Sequence, residues 1–196
     1  MPVLFAGCSF YTAPVLTTDY YWLNPSKSLS DVGNVVIVEL DNNSKYPNVS
    51  TDMTNALFQA TQKRQLFGVS AIKQAEPRWK SLLLNIDSTY TFEQLAAAKK
   101  TLNGDAILVG TITDYQPYPH LSIGLKLKLI DLNDGQLLWA IEQIWDSADK
   151  TTEYQIKHFY SEQMRSGFAP LREQLLVISS LEFIRFVAFE VAGTLK

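Results

Sequence analysis

The chain has 196 residues, 46% of them hydrophobic and 19% charged, with a formal net charge of −3. That balance supports a packed core and excludes a chain disordered throughout. It also excludes nucleic-acid binding through bulk charge, which needs a basic face, and the sequence has no Lys/Arg cluster.

In chain order, the first feature is the single cysteine, Cys8. It cannot form an internal disulfide, and no Cys/His set has zinc spacing. Its surroundings, Leu4-Phe5-Ala6-Gly7-Cys8-Ser9, resemble a bacterial lipobox, where a lipoprotein signal peptidase cuts and the cysteine is lipidated. Phe5 stands where Leu is usual, and a secretory signal runs about 15–30 residues from a charged start. Two readings stand: a start that lies further upstream, or a chance match. Ser9 after the cysteine, rather than Asp, fits outer-membrane sorting under the enterobacterial rule. Residues 9–33 are rich in Ser, Thr, Pro, Asn and Tyr and lack a sustained period. They read as a tether or docked arm, because Tyr11, Tyr20, Tyr21, Trp22 and Leu23 are costly to leave in water.

The α/β domain is expected over 34–150. Val35-Val36-Ile37-Val38-Glu39-Leu40 is a β-branched run, hence a strand covered on both faces. Asp41-Asn42-Asn43-Ser44 breaks it. Ser50 or Thr51 is the expected cap of a helix over 51–64. Leu66–Ile72 is the next strand candidate. Residues 75–89 are ambiguous, with Trp79, Leu82, Leu83 and Leu84 expected to turn inward. Thr91 and Gln94 form a Thr-x-x-Gln capping box, and Tyr90 and Leu95 occupy the positions of a hydrophobic staple. Asn103-Gly104 supplies a left-handed stop after Leu102.

Ala106–Tyr115 is expected to be a strand, followed by the loop Gln116-Pro117-Tyr118-Pro119-His120, whose prolines cannot donate to a ladder. Leu121, Ile123, Leu125, Leu127 and Leu129 then alternate with Ser122, Gly124, Lys126 and Lys128. This period of two predicts one strand of a hairpin, 121–132 paired with 136–145 across Asn133-Asp134-Gly135. After Lys150 the pattern is helical, with one helix over 151–165 and another opening at Pro170 and running to about 192. The last helix is apolar around much of its circumference. It is read as buried on the sheet or as a partner or oligomer face.

No motif assembles a catalytic site: there is no G-x-S-x-G, P-loop or G-x-G-x-x-G. His120 and His158 read as solvated and share no metal-ligand spacing. Asp131 and Asp134 flank a turn without an EF-hand pattern. Glu39 and Asp41 end a strand, with no motif to make them a catalytic pair. The expectation is a protein that is not an enzyme and has no cofactor, metal or small-molecule substrate. The candidate protein-contact residues are Tyr115, Tyr118 and His120 in the Pro-rich loop region, with Phe183 and Phe186 on the last helix. The alternative for the loop is a rigid connector whose tyrosines pack over the sheet edge.

Residues 106–140 contain Ala-Ile-Leu-Val-Gly-Thr-Ile-Thr, then Leu-Lys-Leu-Ile-Asp-Leu, then Gly-Gln-Leu-Leu-Trp-Ala. This pattern resembles domains of bacterial envelope proteins: the curli-secretion CsgG family, the penicillin-binding-protein activator LpoB and the N-terminal domain of TolB. The resemblance extends loosely over 35–145. It implies a periplasmic domain, commonly on a lipoprotein anchored at Cys8, that works through protein contacts without a cofactor. No further pair of long alternating strands is present to build a barrel, so a CsgG-type pore is not expected.

The expected fold is α/β (α+β), with a mixed sheet of about five strands in the order β-α-β-α-β-β-β-α, an antiparallel meander and helices packed on one face. The expected organisation is a remnant signal or lipobox at 1–8, an arm at 9–33, the domain at 34–150, and C-terminal helices at 151–196 packed on the domain or a partner. The leading functional expectation is an assembly or scaffold component anchored to the periplasmic face of the outer membrane. The alternatives are a regulator that binds and activates an envelope enzyme such as a peptidoglycan synthase, and a cytoplasmic enzyme beginning at Met1. The partner is expected to be an envelope protein or a second copy of the chain.

Overall fold

A computed structural model of the chain describes residues 20–82, 90–163 and 179–196. The strands are β1 (Tyr21–Leu23), β2 (Asn34–Val38), β3 (Asp41–Asn42), β4 (Gly68–Ile72), β5 (Ala106–Gln116), β6 (Ser122–Asp131) and β7 (Leu137–Asp146). The helices are α1 (Asn48–Arg64), α2 (Pro77–Lys80), α3 (Phe92–Leu102), α4 (Lys150–Gln163) and α5 (Ser180–Thr194). Cys8, Tyr11, Leu83, Leu84 and the proposed helix start at Pro170 lie outside the described residues.

All seven described strands belong to one mixed sheet, in the order β1-β7-β6-β5-β2-β4, with β3 beside β5. The mixed α/β class and the antiparallel meander β5-β6-β7 agree with the sequence pattern. The two strands beyond the expected five are β1 and β3, each of two or three residues. β1 pairs antiparallel with Trp139–Ile141 of β7, and Asn24 continues the contact by donating to the Leu138 carbonyl. Neither strand is long enough to show a period of its own.

The helices are divided between the two faces of the sheet, not gathered on one. Val35, Ile37, Leu108, Ile123, Leu125, Leu127, Leu129, Trp139 and Trp145 face α1, α4 and α5. Val36, Val38, Ile107 and Val109 face α2 and α3, through Trp79, Leu95, Ala98 and Leu102. The cause is the strand order. β2 runs parallel to β4 on one side and to β5 on the other. A right-handed crossover outward to β4 and one back past β2 to β5 put their helices on opposite faces. The run Val35–Val38 therefore needs no alternation, because both of its faces are covered.

Helix boundaries follow local chemistry. At α3 the Thr91 hydroxyl accepts from the Gln94 amide at 3.3 Å, and the Gln94 side chain accepts from the Thr91 amide at 2.9 Å. Tyr90 and Leu95 lie in one apolar cluster. Asn103, with φ 52°, closes the helix. At α1 the expected cap is displaced. The helix begins at Asn48 after Pro47, and no side chain caps it. Ser50 and Thr51 sit inside the first turn and donate to the Leu40 carbonyl and, at 2.8 Å, to Glu39 Oε1. They tie α1 to the end of β2. α5 begins at Ser180, with Ser179 extended and its hydroxyl accepting from the Glu182 amide, so a helix running unbroken from Pro170 to 192 is not formed.

No helix among the described residues is long and apolar enough to cross a membrane.

Candidate protein-contact surfaces

The loop between β5 and β6 stands at one end of the meander. A register shift between Ile112 and Asp114 bends β5 before the loop. The Ser122 hydroxyl donates to Asp114 Oδ2 at 2.8 Å and ties the two strands together. Leu121 and Ser147 exchange two hydrogen bonds, of 3.0 and 2.8 Å, that hold the far side of the loop to the end of β7. Within the loop, the Gln116 amide donates to the Tyr118 carbonyl at 3.1 Å, and the Tyr118–Pro119 peptide is cis.

This base projects Tyr118 into solvent, 83% exposed. His120 is also exposed. Tyr115 is half-buried and packs edge-on against Tyr46, with ring centroids 5.3 Å apart and planes at 80°. Tyr46 is itself 44% exposed. Its backbone is held by Asn42, which donates to its carbonyl at 2.8 Å, and by Ser44, whose hydroxyl accepts from its amide. The structure thus brings three of the expected residues, Tyr115, Tyr118 and His120, to one end of the sheet and places Tyr46 with Tyr115. Sequence reasoning missed Tyr46. It arrives through the pairing of β3 with Thr111 and Ile112, a contact across about seventy residues that no local pattern announces.

Phe183 and Phe186 do not belong to this surface. They are 1% and 0% exposed, and they contact each other, while Phe186 also meets Phe159 of α4 edge-on. Both sit in the core formed by α1, α4, α5 and the sheet, so their expected role as partner contacts is corrected to packing. The residues of α5 that face outward are Leu181, 44% exposed, and Arg185.

Two polar clusters lie at the ends of the sheet. At the carboxyl ends of β2 and β4, Glu39 accepts from Thr51 and from the Gln74 amide, and Gln74 Nε2 donates to Asp41 at 2.6 Å. These carboxylates are held by neighbours in a joint between strands and helix. At the opposite end, a cleft of about 460 Å3 is lined by Lys27, Asp31, Lys99, Asp105, Asp131 and Asn133, among others. Lys27 bridges Asp131 and Asp134 at 2.6 and 2.5 Å, and Lys99 meets Asp105 at 3.2 Å and Asn133 at 2.6 Å. Burial alone pushes the Asp131 carboxyl up, but the Lys27 ammonium and the Asn133 amides outweigh it and hold the group below the usual range. The hydrogen bond to Asp131, then that to Asp134, raises Lys27 above the usual lysine value. Among the described residues no group of three or more His, Cys, Asp or Glu side chains could hold a metal ion.

No protein-family profile and no curated sequence matches the chain. Among solved structures it is similar to lipoprotein GNA1162 from Neisseria meningitidis, at 17% identity and a TM-score of 0.47 over 70% of this chain and 99% of that one. It is similar to the PelC dodecamer from Paraburkholderia phytofirmans at 14% identity and TM-score 0.47, over 68% of this chain and 85% of that one. It is similar also to the LpoB C-terminal domain from Salmonella enterica at 17% identity and TM-score 0.41, over 61% and 85%. These likenesses concern the path of the chain, and nothing about its work follows from them.

Proposed function

We propose that this chain is a non-enzymatic, lipid-anchored component of the bacterial cell envelope that acts through protein contacts made by the end of its meander. The observation that carries the reading is the aromatic end surface, with Tyr118 exposed at its tip and Tyr46 and Tyr115 interlocked beside it. Aromatic side chains on a braced loop supply contact area at low entropic cost, and interface cores are enriched in them. Ser122 ties the two strands of the loop together, and Ser147 holds the loop to the end of β7. The lipobox-like context of Cys8 and the resemblance of residues 106–140 to CsgG, LpoB and TolB domains support a periplasmic setting on the outer membrane.

The test is photocrosslinking in cells, with a photoreactive phenylalanine in place of Tyr118. The expected result is one discrete adduct with an envelope protein, lost when Tyr46 is also changed to Ala. Adducts only at random surface positions, or none, contradict the proposal. A second reading, activation of an envelope enzyme, uses the same surface. An adduct with a peptidoglycan synthase, together with raised synthase activity on adding the purified chain, would select it.

A further inference from the structure

The meander has one face buried under α1, α4 and α5. The helices α2 and α3 cover only part of the other, around β2, β4 and the start of β5. The register shows what the remainder of that second face carries. Trp22 lies across from Ala140, which lies across from Lys128. The next row is Glu142 and Lys126, and the one after it is Ile144 and Gly124. Trp22 is 46% and Ile144 62% exposed, and Tyr20, at the outer corner, is 57% exposed. Tyr20, Trp22, Lys126, Lys128, Ala140 and Glu142 line a shallow groove of about 440 Å3, with Glu142 3.8 Å from Lys126 and Ile144 one row beyond.

We propose that this face, Tyr20, Trp22, Ala140 and Ile144 with Lys126 and Lys128, rests on a phospholipid surface containing anionic lipid. The composition is that of a membrane interface: Trp and Tyr at headgroup depth, an aliphatic side chain below them, and two lysines, with long apolar stems, against the one carboxylate of Glu142 that pairs with Lys126, which leaves the face net positive. The connectivity points the same way. Tyr20 is the twelfth residue after Cys8. Taking Cys8 as the anchor, which rests on the reading above, the chain between them spans at most about 42 Å. A face with only weak affinity for lipid is then presented to it at a local concentration in the millimolar range. A second copy pairing strand to strand would use the unpartnered edge of β7 beyond Ile141 and would leave this face itself uncovered.

Tryptophan quenching tests this, because Trp79, Trp139 and Trp145 are 8%, 0% and 1% exposed and Trp22 alone of the four is open. The full chain carrying Cys8→Ser is mixed with millimolar vesicles of phosphatidylethanolamine and phosphatidylglycerol whose acyl chains are brominated. The expected result is quenching that disappears in Trp22→Phe and weakens in Ile144→Ser. Lys126→Gln should lower partitioning about fivefold on these vesicles, with little change on phosphatidylcholine. Quenching no greater than the Trp22→Phe background overturns the proposal. So does protection of Trp22 from acrylamide that grows with protein concentration in the absence of lipid, which would assign the face to a second copy. Intact mass of the natural product reports the anchor separately: a lipidated Cys8 with no Trp22 quenching keeps the anchor and removes this face from the membrane.

Discussion

Lys27 reaches from the segment after β1 to Asp131 and Asp134 at the β6–β7 turn. Asp131 has its folded pKa held down, so its contribution is fully present above its unfolded value of about 3.9 and is lost as pH falls through the lower folded value. Lys27 has its pKa raised, so its contribution is present below the ordinary lysine value and is lost as pH rises through the folded one. Lys27→Met should therefore lower stability by about 1 kcal/mol at neutral pH, the upper end for a partly exposed pair. Its difference from the natural chain should shrink in strong acid, as denaturant midpoints measured across pH would show. Trp139 is a different case. It is fully buried, and its indole N–H donates to Thr194 Oγ1 at 3.1 Å, joining β7 to the end of α5. Trp139→Ala should cost about 3–5 kcal/mol. Tyr118→Ala should stay within about 0.5 kcal/mol, since that ring touches solvent. A large loss of stability in Tyr118→Ala would mean that the ring is a packing element and would remove the contact surface.

Among the elements, α3 and the β6–β7 hairpin were legible because their signals are local. The capping box lies within four residues, and the alternation of 121–129 needs only one strand to be read. Thr91→Ala should cost about 1 kcal/mol, measured by denaturation, with the loss confined to α3 in amide exchange. Gly135 could be read as a turn residue. Its φ of 74°, and a Leu95 methyl that would stand 2.9 Å from any Cβ added there, explain the choice. Gly110 could not be read in this way. A Cβ there would meet the Lys126 carbonyl at 2.3 Å and Leu127 Cδ2 at 2.5 Å on the neighbouring strand, a tertiary constraint invisible along the chain. Gly110→Ala should destabilise by about 1–3 kcal/mol or more, whereas Gly193→Ala, with open space around it, should not. The division of helices between two faces was hidden for the same reason. It depends on β4 and β5 flanking β2, which is a property of strand order. Phe183 and Phe186 were misplaced because α5 is apolar on most of its surface, and periodicity alone does not say which side meets the sheet.

At the scale of the whole molecule, one sheet separates three surfaces. The aromatic loop lies at the β5–β6 end, the charged cleft held by Lys27 and Lys99 lies at the opposite end, and Trp22 with Ile144 lies on the face left open by α2 and α3. Stability should depend on the cleft, partner contact on the loop and lipid contact on the open face, so substitutions at the three should separate cleanly. Tyr118→Ala should remove partner contact and Lys126→Gln should weaken lipid partitioning, each leaving the denaturation midpoint and the other function unchanged. The measurement that bears most directly on the proposed role is the intact mass of the full-length natural product, taken with its distribution between membrane and soluble fractions. A mature chain beginning at an acylated Cys8, found with the outer membrane and released to the soluble fraction by Cys8→Ser, is the expected result. An unmodified Cys8 in a soluble product would contradict it.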